Sequence, residues 1–319
     1  MTTFIAGCAG AVGKVPWQAE YLPVPTQASS FAAFDAWLTE AIECAVAGGG
    51  SYWPDAFARG AMHGFVFRSA AEPADTALCG AITPSRDSAG RPFPLALGAS
   101  LRMSPQLLAR PELLPFSLEG LWAEALGGLV DLMAEAPPES VTPALNAGHD
   151  ADVAEAAGLY DDWVASLPLR ELWSLLGPAL SNPSATLQLL LETLTPIRGI
   201  ERPQATLSLR LPLGLAGGAA LCFWLDIVRR HVGWRNTLPS LFWSHDGDSG
   251  AALLHLGRPS KGALAELWMP TGRREDVADL TSPADPALVE VLSPLPPAVL
   301  ATLREPAAPV AQLLTVLGA

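Results

Sequence analysis

The sequence predicts an α/β fold, and three observations carry the prediction. Half of the 319 residues are apolar and 16% are charged, so a large core can be buried. Short apolar runs of strand length alternate with longer stretches in which apolar residues recur at helical spacing. The order strand, helix, strands, helix occurs once in each half of the chain.

Residues 3–12 read as a buried strand. Ser30 reads as the N-cap of a helix whose residues Phe34, Trp37, Leu38, Ala41, Ile42 and Ala45 form one core-facing stripe. Gly48-Gly49-Gly50 ends it. Strand-like runs follow at His63–Arg68, Ala77–Thr83 and Phe93–Leu101, the last two joined by a polar turn around Ser85–Gly90. Ser117 is read as the start of a second helix, with Leu118, Leu121, Trp122, Ala125, Leu126, Leu129, Val130 and Met133 in register. Pro137-Pro138 is read as its end. This gives a first region at 1–136 and a linker at 137–150, rich in Pro, Gly, Asn and Ser.

The second region, 151–319, opens with a helical segment at 151–195, interrupted at Pro168, Pro178 and Pro183. A β-α-β-β-α unit at 206–268 comes next. It holds a strand at Thr206–Leu211 and a helix at about Gly217–His231. A hairpin of Pro239–Ser244 and Ala251–Leu256 turns through His245-Asp246-Gly247-Asp248, and a short helix at Ser260–Trp268 closes the unit. A Pro-rich tail, 270–319, is expected to wrap over the surface, and the two regions to pack as two domains or as one unit.

Composition excludes some functions. With 32 Asp+Glu against 19 Lys+Arg the formal charge is -13, and phosphate backbones repel such a chain. No nucleic-acid partner is expected. Cys8, Cys44, Cys79 and Cys222 form no CxxC pair and read as buried free thiols. The five histidines show no metal-ligand spacing, so neither metal nor cofactor is expected. Ile5-Ala6-Gly7-Cys8 resembles a lipoprotein cleavage box. It lacks the basic n-region and the apolar stretch of about 7–15 residues that a signal peptide needs. The longest apolar run, Leu211–Leu225, is too short to span a bilayer, so no membrane insertion and a cytoplasmic location are expected.

Two catalytic motifs fail on inspection. Gly7–Lys14 resembles a phosphate-binding loop, but Cys8 stands where a P-loop needs glycine and Val15 where it needs Ser or Thr. Gly247-Asp248-Ser249-Gly250 resembles a protease nucleophile segment without the upstream histidine motif, and suits a polar turn.

One set of motifs is more specific. Gly13-Lys14-Val15-Pro16, Glu20-Tyr21, Phe34-Asp35-Ala36-Trp37-Leu38, Cys79-Gly80, Pro84-Ser85-Arg86-Asp87 and Gly90-Arg91-Pro92-Phe93-Pro94-Leu95 occur in that order. The set resembles the TagF family of proteins associated with bacterial type VI secretion, which typically reads GKLPxxGDF, WDxWL, CG and PSxDxxGRxFPL. Ser240-Leu241-Phe242-Trp243 and Gly257-Arg258-Pro259 are similar to the family's SLWW and GLP segments. Ala19-Glu20-Tyr21 departs from the family's GDF, and Phe34 from the Trp of WDxWL.

The resemblance implies a three-layer α/β sandwich with a mixed or largely antiparallel sheet, plus an additional helical segment in the middle of this chain. It implies a cytoplasmic, non-enzymatic repressor of type VI secretion that binds a scaffold protein carrying a forkhead-associated domain. The motif residues Lys14, Pro16, Glu20, Asp35, Trp37, Ser85, Asp87, Arg91 and Trp243 are the candidates for the partner surface. A local reading stands beside this one. Asp87 would bond backbone N–H groups in the turn, Arg91 would pair with a carboxylate, and Trp37 and Trp243 would be core. Two alternatives stay open: an enzyme or small-molecule sensor with a site near Lys14, Asp87 and Arg91, and a structural assembly component of the secretion apparatus. Oligomeric state is not legible.

The charge distribution adds an independent feature. From Pro111 to Leu169 there is no Lys or Arg, while eleven carboxylates are present. A solvated face ordinarily mixes signs, and a one-signed stretch steers a basic partner.

Overall fold

The computed structural model describes residues 4–318 except 26, 71, 147–151, 202, 204–205, 245–249 and 271–274. In chain order the first elements are β1 (Phe4–Gly13), α1 (Ser29–Gly49), α2 (Trp53–Ala58), β2 (His63–Phe67), β3 (Thr76–Thr83) and β4 (Leu95–Met103). Helices α3 (Pro105–Ala109), α4 (Leu114–Ser117), α5 (Glu119–Met133), α6 (Pro138–Asn146), α7 (Val153–Ser166), α8 (Leu169–Leu176) and α9 (Pro183–Leu194) follow. Next come β5 (Ser208–Pro212), α10 (Gly217–Val232), β6 (Ser240–Ser244), β7 (Ala251–His255), α11 (Ala265–Trp268) and β8 (Val277–Asp279). Helices α12 (Pro286–Val289), α13 (Pro297–Leu303) and α14 (Val310–Leu317) end the chain.

The eight strands among the described residues form one sheet in the order β1-β4-β3-β2-β6-β7-β5-β8. Every neighbouring pair is antiparallel except β5–β8. The two halves of the chain therefore share a sheet, joined where Gly64, Phe65 and Val66 of β2 face Trp243, Phe242 and Leu241 of β6. Strand residues alternate between two cores, as the pleat requires. Phe65, Phe67, Leu78, Ile82 and Phe242 pack under α1 and α11. Val66, Ala77, Cys79, Ala81, Leu241 and Leu254 pack under α5, α10 and the other helices. Helices on both faces of the mixed sheet make three layers, which is the expected α/β sandwich.

Several expectations are corrected. Ser30 is not the N-cap of α1: the helix starts at Ser29, and Glu72 supplies the cap, accepting from Ser29 Oγ at 2.6 Å and Ser30 N at 2.8 Å. A carboxylate at a helix N-terminus also complements the dipole. Ser117 ends α4, and α5 starts at Glu119. Pro137-Pro138 opens a helix where a linker was expected. Proline is favoured in a first helical turn, and α6 buries Val141 and Leu145, one turn apart. The tail does more than wrap: it adds the edge strand β8 and buries Leu295, Val299, Val310, Leu313 and Leu314. Of the thiols, Cys79 and Cys222 are buried, but Cys8 is half-buried and Cys44 exposed. The turn at His245–Asp248 lies outside the described residues. Among the described residues no single helix is long and apolar enough to cross a membrane.

Candidate functional site

Residues 13–22, leaving β1, and residues 84–94, between β3 and β4, meet at one end of the sheet. Gly13 makes the approach possible. Its φ is +109°, and a Cβ there would lie 1.9 Å from Pro94 O. The next residue, Lys14, is 5% exposed, and its Nζ reaches Asp87 Oδ2 at 2.9 Å. The Lys14 ammonium also lies 4.7 Å from the centre of the Tyr21 ring, which meets Phe93 edge-on.

Asp87 organises the turn. Its Oδ1 accepts from Ala89 N at 3.0 Å and Arg91 N at 2.9 Å, and Oδ2 accepts from Arg91 Nε at 2.6 Å. Burial alone would raise this carboxyl, but the bonds from Lys14 and Arg91 outweigh it and hold it well below the usual carboxylate range. Arg91 then bonds Ala19 O at 2.9 Å, Ser88 N donates to Gln18 O, and Trp17 Nε1 donates to Leu132 O at 2.8 Å. The first loop is thus clasped between the turn and the end of α5. Both charges of Lys14 and Asp87 are consumed internally, and what faces solvent is Glu20, Tyr21 and the outer part of Arg91.

The nine motif residues do not form one site. Lys14, Pro16, Glu20, Ser85, Asp87 and Arg91 gather at the clasp; Ser85 Oγ is buried without a hydrogen-bond partner among the described residues. Asp35 is half-buried on α1, and desolvation raises its carboxyl. Trp37, two residues further on, stacks on Phe242 and donates to Pro259 O at 3.2 Å. Trp243 sits on the opposite face against Trp122, its ring over Gly64.

The clasp yields a graded prediction. Arg91 is 62% exposed at its side chain, so Arg91→Ala should cost no more than about 1 kcal/mol. Asp87→Asn strands the buried Lys14 ammonium and should lower the melting temperature further. Because the folded Asp87 carboxyl titrates below its unfolded value, the stability it adds is fully present above the ordinary carboxylate range and is lost progressively below it, as pH falls towards the depressed folded value. The gap in melting temperature between wild type and Asp87→Asn should therefore start to narrow at about pH 4, where the unfolded carboxyl titrates, and close only in stronger acid, where the folded Asp87 itself takes up a proton. A gap that stays constant with pH would contradict the ionic role of Asp87.

A second charged cluster was not anticipated. Glu112 and Asp226 are fully buried. Arg229 joins them, with Nη2 2.6 Å from Asp226 Oδ1 and Nε 2.8 Å from Glu112 Oε2, the latter an ion pair whose N–H does not aim at the oxygen. Arg230 adds a contact to Asp226 at 2.7 Å, and Tyr160 donates to Asp226 Oδ2 at 3.1 Å. Arg110 bridges Glu112 and Asp161. Desolvation, and then Asp226, push the Tyr160 hydroxyl far up, so it stays a donor. Part of this was readable: Asp226, Arg229 and Arg230 stand at the spacing that pairs side chains on a helix.

Comparison with known proteins gives two findings. Residues 10–147 match the family model described as the TagF N-terminal domain, type VI secretion system-associated. Among solved structures the chain is similar to PA0076 from Pseudomonas aeruginosa PAO1, at 17% identity and a TM-score of 0.46 over 84% of this chain and 96% of that one. No curated protein matches.

Proposed function

We propose, for a chain whose residues 10–147 belong to the TagF family of type VI secretion system-associated proteins, a regulatory role. The chain is a cytoplasmic repressor of a bacterial type VI secretion system. It acts stoichiometrically, by binding a scaffold protein with a forkhead-associated domain. The family match is the observation that carries this reading.

Two features of the molecule support a binding role over a catalytic one. Lys14 and Asp87 neutralise each other inside the clasp, so they shape a loop rather than face a substrate. Nine carboxylates of α5, α6, α7 and their flanks are exposed, and no cation interrupts the sequence from Pro111 to Leu169. Such a field favours a basic partner such as a phosphopeptide-binding cleft, chiefly through the association rate.

Two carboxylates of this stretch are unsuitable for a charge-reversal test. Asp152 caps α7, and Asp161 holds Arg110. Glu124, Asp131, Glu135 and Asp162 are exposed and make no ion pair among the described residues. Deleting the gene should raise basal secretion, and overproducing the wild-type chain should silence it. The fourfold Lys variant, equally abundant and equally stable, should fail to silence. Loss of secretion on deletion would instead favour an assembly component.

A further inference from the structure

Where β2 meets β6, the ends of β2, β6 and β7 leave an open groove of about 690 Å³. That volume is in the range of small-molecule sites, roughly 300–1,000 Å³. Most of its lining comes from residues 201–259, outside the stretch that matches the family model. Its lining mixes apolar and polar side chains. Trp37 presents its ring on one side, fixed by its stack on Phe242 and its bond to Pro259 O. Leu238 and Pro239 also line the groove.

The polar groups are unevenly committed. Glu201 lines the groove, but its carboxylate already accepts from Thr237 Oγ1 and Arg235 N. Ser240 Oγ accepts from Arg68 N at 2.9 Å. His255 lines the groove, 1% exposed, with Nδ1 2.7 Å from Ser208 Oγ and Nε2 without a hydrogen-bond partner among the described residues. Burial lowers this imidazole to about 3, so it is neutral and adds no charge. The available cation is Arg258, which lines the groove, is exposed, and has no ion pair among the described residues. In a chain of net charge -13, it puts a positive charge in the same groove as the Trp37 ring.

We propose that this groove binds a small organic anion with a flat apolar body, the body lying against Trp37 and the anionic group paired with Arg258. A guanidinium grips a carboxylate, sulfonate or phosphate through two parallel N–H bonds, and the ring face covers the apolar part. The site is independent of the proposed repressor role, so either can fail without the other.

Two dyes of similar shape separate the contributions: anilinonaphthalene sulfonate, an anion, and phenylnaphthylamine, which is uncharged. The anionic dye should saturate at one molecule per chain, read by its fluorescence and by calorimetry. Arg258→Glu, on an exposed side chain, should leave the melting temperature unchanged. It should weaken the anionic dye by roughly tenfold or more and the neutral dye by far less. Ala33→Trp, which fills the groove from α1, should block both. The proposal is overturned if the anionic dye binds without saturation, if neither substitution weakens it, or if Arg258→Glu weakens both dyes equally.

Discussion

Asp226→Ala is expected to be among the most damaging single substitutions in this chain, costing roughly 3–5 kcal/mol, because it breaks a buried ion network by removing one partner. Three groups converge on this carboxylate from two helices: Arg229 and Arg230 of α10, and Tyr160 of α7. With Asp226 gone, Arg229 keeps only Glu112, Arg230 loses its anion, and the Tyr160 hydroxyl is left buried without an acceptor. Tyr160→Phe removes one donor and leaves the ions intact, so it should cost only about 1 kcal/mol. Denaturant unfolding of the two variants checks the order. Equal, small losses would show that the network sets register without adding stability.

Gly80→Val should prevent folding, and Gly80→Ala should already be strongly destabilising. A Cβ on Gly80 would sit 2.1 Å from Leu97 O and 2.5 Å from Gly98 Cα. Both obstacles are backbone of the neighbouring strand, which cannot move without opening the β3–β4 ladder. Gly80 pairs with Gly98 on one side and with Phe65 on the other. The absent side chains leave room in the layer where the Phe65 ring stacks on Phe34 at 4.9 Å. This gives the Cys79-Gly80 motif a physical reason. Soluble yield and circular dichroism of Gly80→Ala test it; a native-like, fully stable variant would mean that the strands part easily. Overpacking of a tight core ordinarily costs about 1–3 kcal/mol, and a backbone obstacle raises that.

The strands and the long helices α1 and α10 were legible because burial imposes a period on their sequences. Where a partner distant in sequence decides the outcome, the reading failed. Glu72 caps α1 from the segment between β2 and β3, and nothing near Ser30 announces it. Pro137-Pro138 fits a helix end and a helix start equally well, and only the burial of Val141 and Leu145 decides. Strand β8 is three residues long and is recruited by β5, too short to show alternation. At the candidate site, the motifs named the residues without saying that Lys14 and Asp87 touch. Nor did they say that Trp37 and Trp243 lie on opposite faces of the sheet. Pairing of Arg110 with Asp161, or of Glu112 with Arg229, leaves no local trace at all.

The strand order also bears on how the chain is made. Strands β1, β4, β3 and β2 all lie within the first 103 residues, so their four-stranded unit can form while the rest is still being synthesised. One edge of that unit, Gly64–Val66, finds its partner only once residues 241–243 have left the ribosome. At ordinary elongation rates that interval is on the order of ten seconds. During it the nascent chain displays an unpaired, apolar strand edge, the kind of surface that recruits another chain. The intervening helices α5 and α6 emerge in time to cover one face of the young sheet, but an edge is closed only by a strand. The join between β2 and β6 is therefore the step at which a crowded ribosome, or a chaperone, has the most influence on whether this protein reaches its native state.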